Sequence, residues 1–180
     1  MYRVSRMNSA VRVIPADLSF DPHRRAVADL VNMYAQEPLA RGRALPPEVL
    51  KRLPDALREF PTTRIFLAQN EPSAAGDSGQ PSLDSFLGIA VCFVSFSTFA
   101  AAPAMNVHDI AVRPQHRGRG VGTALLQAVE REARRIGCCK MTLEVHRENS
   151  GAIGVYRACG FADGTSRPAP GDVWFFEKLL

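Results

Sequence analysis

Residues 115–133 read QHRGRGVGTALLQAVEREA. The first eight of these hold three glycines (Gly118, Gly120, Gly122), two arginines (Arg117, Arg119) and His116. An amphipathic repeat follows: Val121, Ala124, Leu125, Ala128, Val129 and Ile136 fall on one helical face, and Gln127, Glu130, Arg131, Arg134 and Arg135 on the other. Gly137 supplies the stop. Just upstream, MNVHDIAV (Met105–Val112) reads as a strand. Strand, glycine loop and helix in that order leave unpaired N–H groups at the helix N-terminus, a natural seat for an anion. Glycines let a ligand approach the backbone closely, and the helix end favours an anion by about 0.3–1 kcal/mol. Arg117 and Arg119 are expected to add mobile positive charge at the mouth. The guest these features suit is a phosphate or pyrophosphate. The dinucleotide fingerprint G-x-G-x-x-G misses by one residue, since its third glycine would fall at Thr123, and the loop has no lysine for a nucleotide-triphosphate loop.

Working outward, VRVIPA (residues 11–16) alternates as a first strand. Helical spacing predicts a helix over 23–36, started by Asp21-Pro22, and a second over 48–60 with Val49, Leu50, Leu53, Leu57 and Phe60 on one face. Pro54 is expected to kink or split that helix. Strands are predicted at 64–69, 86–99, 105–112, 140–145 and 173–179, and a fourth helix from Ser150, as its cap, to about Cys159. Residues 70–85, rich in Gly, Pro, Ser and Asp, read as a mobile hairpin loop within one sheet. The order β-α-α-β-β-β-α-β-α-β predicts an α/β (α+β) fold: a mixed, mostly antiparallel six- to seven-stranded sheet with about four helices on both faces. One domain over 1–180 is expected.

The bulk figures exclude several classes. A chain of 180 residues, 46% hydrophobic and 22% charged, is an ordinary globular mixture. The N-terminal residues lack the apolar run of a secretory signal, and FLGIAVCFVSF (residues 86–96) is too short to span a bilayer. A cytoplasmic protein without membrane attachment is expected. None of the four cysteines has C-x-x-C spacing, so no metal is expected and the thiols are read as reduced. A net charge of +4 is mild, and Arg113, His116, Arg117 and Arg119 lack the interleaved aromatics of a nucleic-acid surface.

Two further motifs sharpen the reading. The loop is V-x-P-Q-x-x-G-x-G from Val112 to Gly120, and some thirty residues on come Leu143-Glu144-Val145, Asn149, Ala152, Val155-Tyr156 and Cys159-Gly160-Phe161. In order and spacing this resembles the GNAT superfamily of acetyl-CoA-dependent N-acetyltransferases, over about residues 105–161. The resemblance implies a sheet splayed at its central strands. It implies that the amides of Gly118, Arg119, Gly120, Val121, Gly122 and Thr123, with Arg117, hold the pyrophosphate of acetyl-CoA. It also implies that the backbone of Ile110, Ala111 and Val112 pairs with the pantetheine arm and that Asn149 hydrogen-bonds it. The partners implied are acetyl-CoA and an amine acceptor, with the chain a monomer or homodimer.

Acetyl transfer to an amine poses two proton problems. An alkylamine of pKa ~10.4 is about one part in a few thousand neutral at pH 7, so freeing its lone pair costs about 4–5 kcal/mol. The leaving thiolate needs a proton donor. By the resemblance, Tyr156 is the acid, placed beside the thioester, and Glu144 the first candidate base, as in ribosomal-protein-alanine N-acetyltransferases. Asp109, His108 and an ordered water chain compete with it. Strand alternation predicts that His108 and Asp109 point to opposite faces, so that at most one looks into the cleft. The backbone N–H of Val112 or its neighbour is a candidate oxyanion donor. Acceptor choice is expected in residues 33–60, 96–103 and 161–172, with Arg41 and Arg43 near the rim disfavouring a polycation. A non-catalytic acyl-CoA sensor on the same fold is the alternative.

Overall fold

Period-two alternation with apolar residues on both faces marks strands covered on both sides, and the sheet is built that way. In the computed structural model, which describes residues 11–70, 81–163 and 173–180, the strands are β1 (Val11–Pro15), β2 (Thr63–Asn70), β3 (Phe86–Ser97), β4 (Ala102–Val112), β5 (Lys140–His146), β6 (Ala162–Asp163) and β7 (Val173–Leu179). The helices are α1 (Asp21–Ala35), α2 (Pro47–Glu59), α3 (Val121–Arg135) and α4 (Ser150–Ala158). The seven strands form one sheet in the order β1-β2-β3-β4-β5-β7-β6. Every pairing is antiparallel except β4 with β5. The predicted order holds, with the two-residue β6 added to it. Of the predicted hairpin loop at 70–85, residues 71–80 lie outside the described residues, and Leu83–Ser85 form a single 3-10 turn.

Two cores fill the two faces. Leu87, Ala90, Cys92, Met105 and Leu143 pack with Leu125, Val129 and Ile153 beneath α3 and α4. Ile65, Leu67, Ile89, Val91 and Ala111 pack with Ala26, Val27 and Leu30 beneath α1, and Leu57 of α2 joins their edge. Pro54 does not split α2. The helix runs through it, and Pro54 is its one buried residue. The adjacent Asp55 accepts two bonds from Arg24 of α1, at 2.7 and 2.9 Å, which tie the two helices together.

The sheet opens at its centre. The β4–β5 ladder starts at Ala104↔Lys140 and ends at Val107↔Leu143, although β4 continues along β3 to Val112 and β5 runs on to His146. The parting coincides with a bulge. Val91 pairs with Asp109 and Cys92 with Val107, so His108 is an extra residue without a partner on β3. A bulge bends its strand and increases the local twist. It also resets the alternation: Met105 and Val107 face α3 and α4 before it, Ile110 and Val112 do so after it, and Ala111 faces α1. Asp109, two residues from Ala111, shares the α1 face. His108 meets Phe93 of that face edge-on at 5.4 Å. The two side chains therefore lie on one face. The expectation of opposite faces fails because the inserted residue cancels the alternation it assumed.

Where β3 and β4 continue as a pair, the fit is close. A Cβ on Gly88 would stand 2.6 Å from the carbonyl oxygen of Ala111 and 3.3 Å from Leu125 Cδ1. Gly88→Ala is expected to lower stability by about 1–3 kcal/mol, as overpacking does, seen as a drop of roughly 2–4 °C in melting temperature per kcal/mol for a chain of this size. Differential scanning calorimetry checks it.

Candidate active site

Register decides which backbone groups face the gap. The N–H of Arg113 donates to the carbonyl of Leu87 at 2.8 Å. Since neighbours alternate in an antiparallel ladder, Ala111 and Arg113 turn their polar groups toward β3, and Ile110 and Val112 turn theirs away. No strand lies on that side beyond Val107 among the described residues. The carbonyl of Val112 accepts from Arg117 Nε at 3.0 Å, which agrees with its outward direction. Ile110 and Val112 thus present an extended peptide edge to a wedge between two strands.

The loop after β4 is anchored and then left open. Arg113 reaches back to the carbonyl of Phe86 at 2.7 Å, to that of Leu83 at 3.2 Å, and to the carboxylate of Asp29 on α1. Pro114–His116 make a 3-10 turn closed by Arg117 N–H on the Pro114 carbonyl. From Gly118 to Thr123, six consecutive amides make no hydrogen bond to any described residue. The next amide, that of Ala124, makes the first helical bond, to the carbonyl of Gly120. Gly118 (φ +69°) and Gly120 (φ +83°) hold left-handed conformations that turn the loop into α3. A Cβ at either would meet nothing within 4 Å, so the backbone conformation and not crowding calls for glycine there. Arg117 is not the mobile charge expected: Glu37, just past the end of α1, takes its guanidinium at 2.6 Å while Val112 holds its Nε. Arg119 is exposed and forms no side-chain bond among the described residues.

Tyr156 of α4 is 7% exposed and packs against Phe161 and Phe176. Burial pushes its phenol pKa well up, with Tyr34 adding to the rise. Tyr34, on the last turn of α1, is raised by burial, then by the charges of Asp109 and Glu37. Asp109 is half-buried and makes no hydrogen bond or ion pair among the described residues. Burial raises its pKa, and His108 partly offsets this. Glu144 directly follows the last β5 residue paired with β4, pairs with Phe175 of β7, and is exposed. Asn149 caps α4, its Oδ1 accepting from Ala152 N–H at 3.2 Å, and the expected cap Ser150 becomes the first helical residue. Sequence reasoning misses Tyr34: it falls among the apolar positions of the 23–36 helix, and nothing in its local pattern marks it as a site residue. No group of three potential metal ligands occurs among the described residues, and no helix among them is long and apolar enough to cross a membrane.

A model of the acetyltransferase (GNAT) family matches residues 43–161, well over half the chain and spanning loop, wedge and α4. The chain belongs to this family. Among curated relatives, a thialysine N-epsilon-acetyltransferase of Bos taurus is 31% identical over 48% of this chain and 51% of its own length. A streptothricin acetyltransferase of Streptomyces lavendulae is 39% identical over 39% of this chain and 37% of its own length. The chain thus spans about half the length of these relatives or less. In fold it is similar to a chain of the NatC complex solved with Gag peptide and CoA, with a TM-score of 0.68 at 18% identity, covering 94% of this chain and 98% of that one.

Two phenols with raised pKa values, buried Tyr156 and half-buried Tyr34, carry a consequence for alkaline stability. Unfolded tyrosines ionise near pH ~10. Above that, the unfolded chain releases protons that folded Tyr34 and Tyr156 keep, so stability falls as pH rises toward their folded pKa values. Thermal unfolding followed from pH ~9 to ~11 is expected to show this fall, and Tyr156→Phe to flatten it.

Proposed function

We propose that the protein transfers an acetyl group from acetyl-CoA to a primary amine. One observation carries the reading: six consecutive unengaged amides, Gly118 to Thr123, open the N-terminus of α3 at the mouth of a wedge edged by Ile110 and Val112. Aligned donors at a helix end suit a diphosphate, and an extended peptide edge suits the amides of a pantetheine arm, which pair like an added strand. That the NatC complex, one chain of which shares this fold, is bound to CoA supports the same choice of co-substrate. The names of the curated relatives support an amine as acceptor.

The chain's own groups then divide the work. The amides of residues 118–123 hold the diphosphate, with Arg119 free to add charge beside it. Arg117, tied to Glu37, steadies the loop at its start. The outward N–H of Val112, or that of Ile110 two residues before it on the same edge, donates to the thioester oxygen as charge develops there. Asn149 keeps its Nδ2 for the cofactor arm while its Oδ1 caps α4. Tyr156, held neutral by burial, donates its phenol proton toward the sulfur as the carbon–sulfur bond breaks.

The test is acetyl-CoA turnover with phenethylamine, free lysine and an alanine-initiated peptide, followed as released thiol. Turnover with at least one amine is expected. Tyr156→Phe should lower kcat by roughly 10²–10⁴, the range for losing a general acid, with CoA affinity by calorimetry unchanged. CoA binding with no thiol released from any amine would contradict the transferase reading.

A further inference from the structure

The side of the sheet that faces α1 is covered only in part. The core beneath α1 draws on β1 to β4 and takes no described residue of β5 or β7. Met141, Leu143, Val145 and Phe176 lie in the other core, beneath α3 and α4. Alternation therefore turns Thr142, Glu144, Val173 and Phe175 to the α1 side, and Glu144, Val173 and Phe175 stand exposed there.

Rings line both flanks of this bare face. On one flank Phe60, at the C-terminal end of α2, meets Phe93 of β3 edge to face at 5.5 Å, and Phe93 meets His108 of β4 at 5.4 Å. Phe60 is 54% exposed, and the His108 ring is exposed as well. On the other flank stand Phe175 and Val173 of β7. Register fixes what lies between: Phe93 pairs with Asn106, Asn106 with Thr142, and Glu144, the next residue on that face of β5, with Phe175. The flanks are thus three strand spacings apart, about 14 Å from backbone to backbone. The floor is polar. Asn106 Nδ2 donates to Thr142 Oγ1 at 3.1 Å, and Glu144 has no ion pair among the described residues. Lys140, the lysine on this face of β5, is taken by Glu177 at 3.0 Å. The trough ends where β4 and β5 part, after Val107 and Leu143.

We propose that the acceptor carries its amine on an aromatic or other apolar body, which lies in this trough between Phe60 and Phe175 while the amine reaches the gap. This rests on the transferase reading above and narrows its acceptor to one class. Scattered apolar side chains on a surface are ordinary. These rings instead flank the α1-side entrance to the gap that the pantetheine arm would enter. An apolar body laid between them removes water from their faces and from its own. The floor holds one exposed carboxylate and no open cation among the described residues, which suits a single ammonium head. The further charges of a polyamine would lose water there without gaining a partner.

Two experiments test this. Phenethylamine and ethylamine share an ammonium group and differ by the ring. In the first, each is titrated, beside spermidine, into the wild-type protein without acetyl-CoA, followed by the carbon-13 ring resonances of Phe60, Phe175 and His108. Phenethylamine is expected to move them at a concentration at least roughly tenfold lower than either of the others. Rings that phenethylamine leaves unmoved, or that respond equally to ethylamine, overturn the proposal. In the second, kcat/KM for phenethylamine should exceed that for ethylamine by at least roughly tenfold. Phe60→Ala should lower this ratio by at least about threefold, through KM. Phe99→Ala, which removes a fully exposed ring at the β3–β4 turn, should leave the ratio as it is. A ratio near one, a ratio that Phe60→Ala does not move, or a preference for spermidine would overturn the acceptor class while leaving the transferase reading intact. No thiol released from any amine, beside rings that still answer to phenethylamine, would instead defeat the transferase reading, and the acceptor role of the trough with it.

Discussion

A strand inside a sheet has no spare hydrogen bonds, and this one acquires them. Beyond Val107, β4 keeps β3 on one side and loses β5 on the other. The N–H and C=O groups so exposed lie next to a packed core, where unpaired backbone costs about as much as a lost hydrogen bond. Such an edge persists only if something holds the two strands apart and something else completes the pairing. The bulge at His108 accounts for the first. In the proposed function, an extended ligand with its own amides would do the second. Two elements follow directly from this gap: the loop that starts where β4 ends and the helix that rises from it.

Rigid anchors surround the opening. Arg113 ties the end of β4 to β3, to the 3-10 turn before β3 and to α1. Arg117 ties the loop to Glu37 and to Val112. Gly88 lets β3 approach β4 where a Cβ would strike the Ala111 carbonyl. These contacts spend the side chains of two of the loop's arginines on structure and leave the amides of 118–123 free. Donors held this way need not reorganise to meet a developing or bound negative charge, which is why preorganised amides serve so well.

The sequence showed the glycine loop, the helix and its polarity because each rests on local rules: positive φ at Gly118 and Gly120, helical spacing from Val121, a stop at Gly137. Element order was legible for the same reason. What local pattern could not reveal was set by contacts distant along the chain. The bulge at His108 depends on register with β3, so the facing of Asp109 was misread. Arg117 looked free because its partner Glu37 lies eighty residues earlier. Pro54 carries a penalty on its own, yet it lies buried within an unbroken α2, next to the Asp55 that binds Arg24 of α1. Asn149 and Ser150 are both good caps, and which one serves is settled by the geometry of the turn after β5.

In the proposed function the amides of residues 118–123 are donors awaiting a diphosphate. Nitrogen-15 amide spectra recorded during titration with CoA address it most directly. The account predicts that the resonances of Gly118 to Thr123 move farthest and gain protection from hydrogen exchange, with Ile110 and Val112 next. Saturating CoA that leaves those six amides in place and exchanging freely would contradict it.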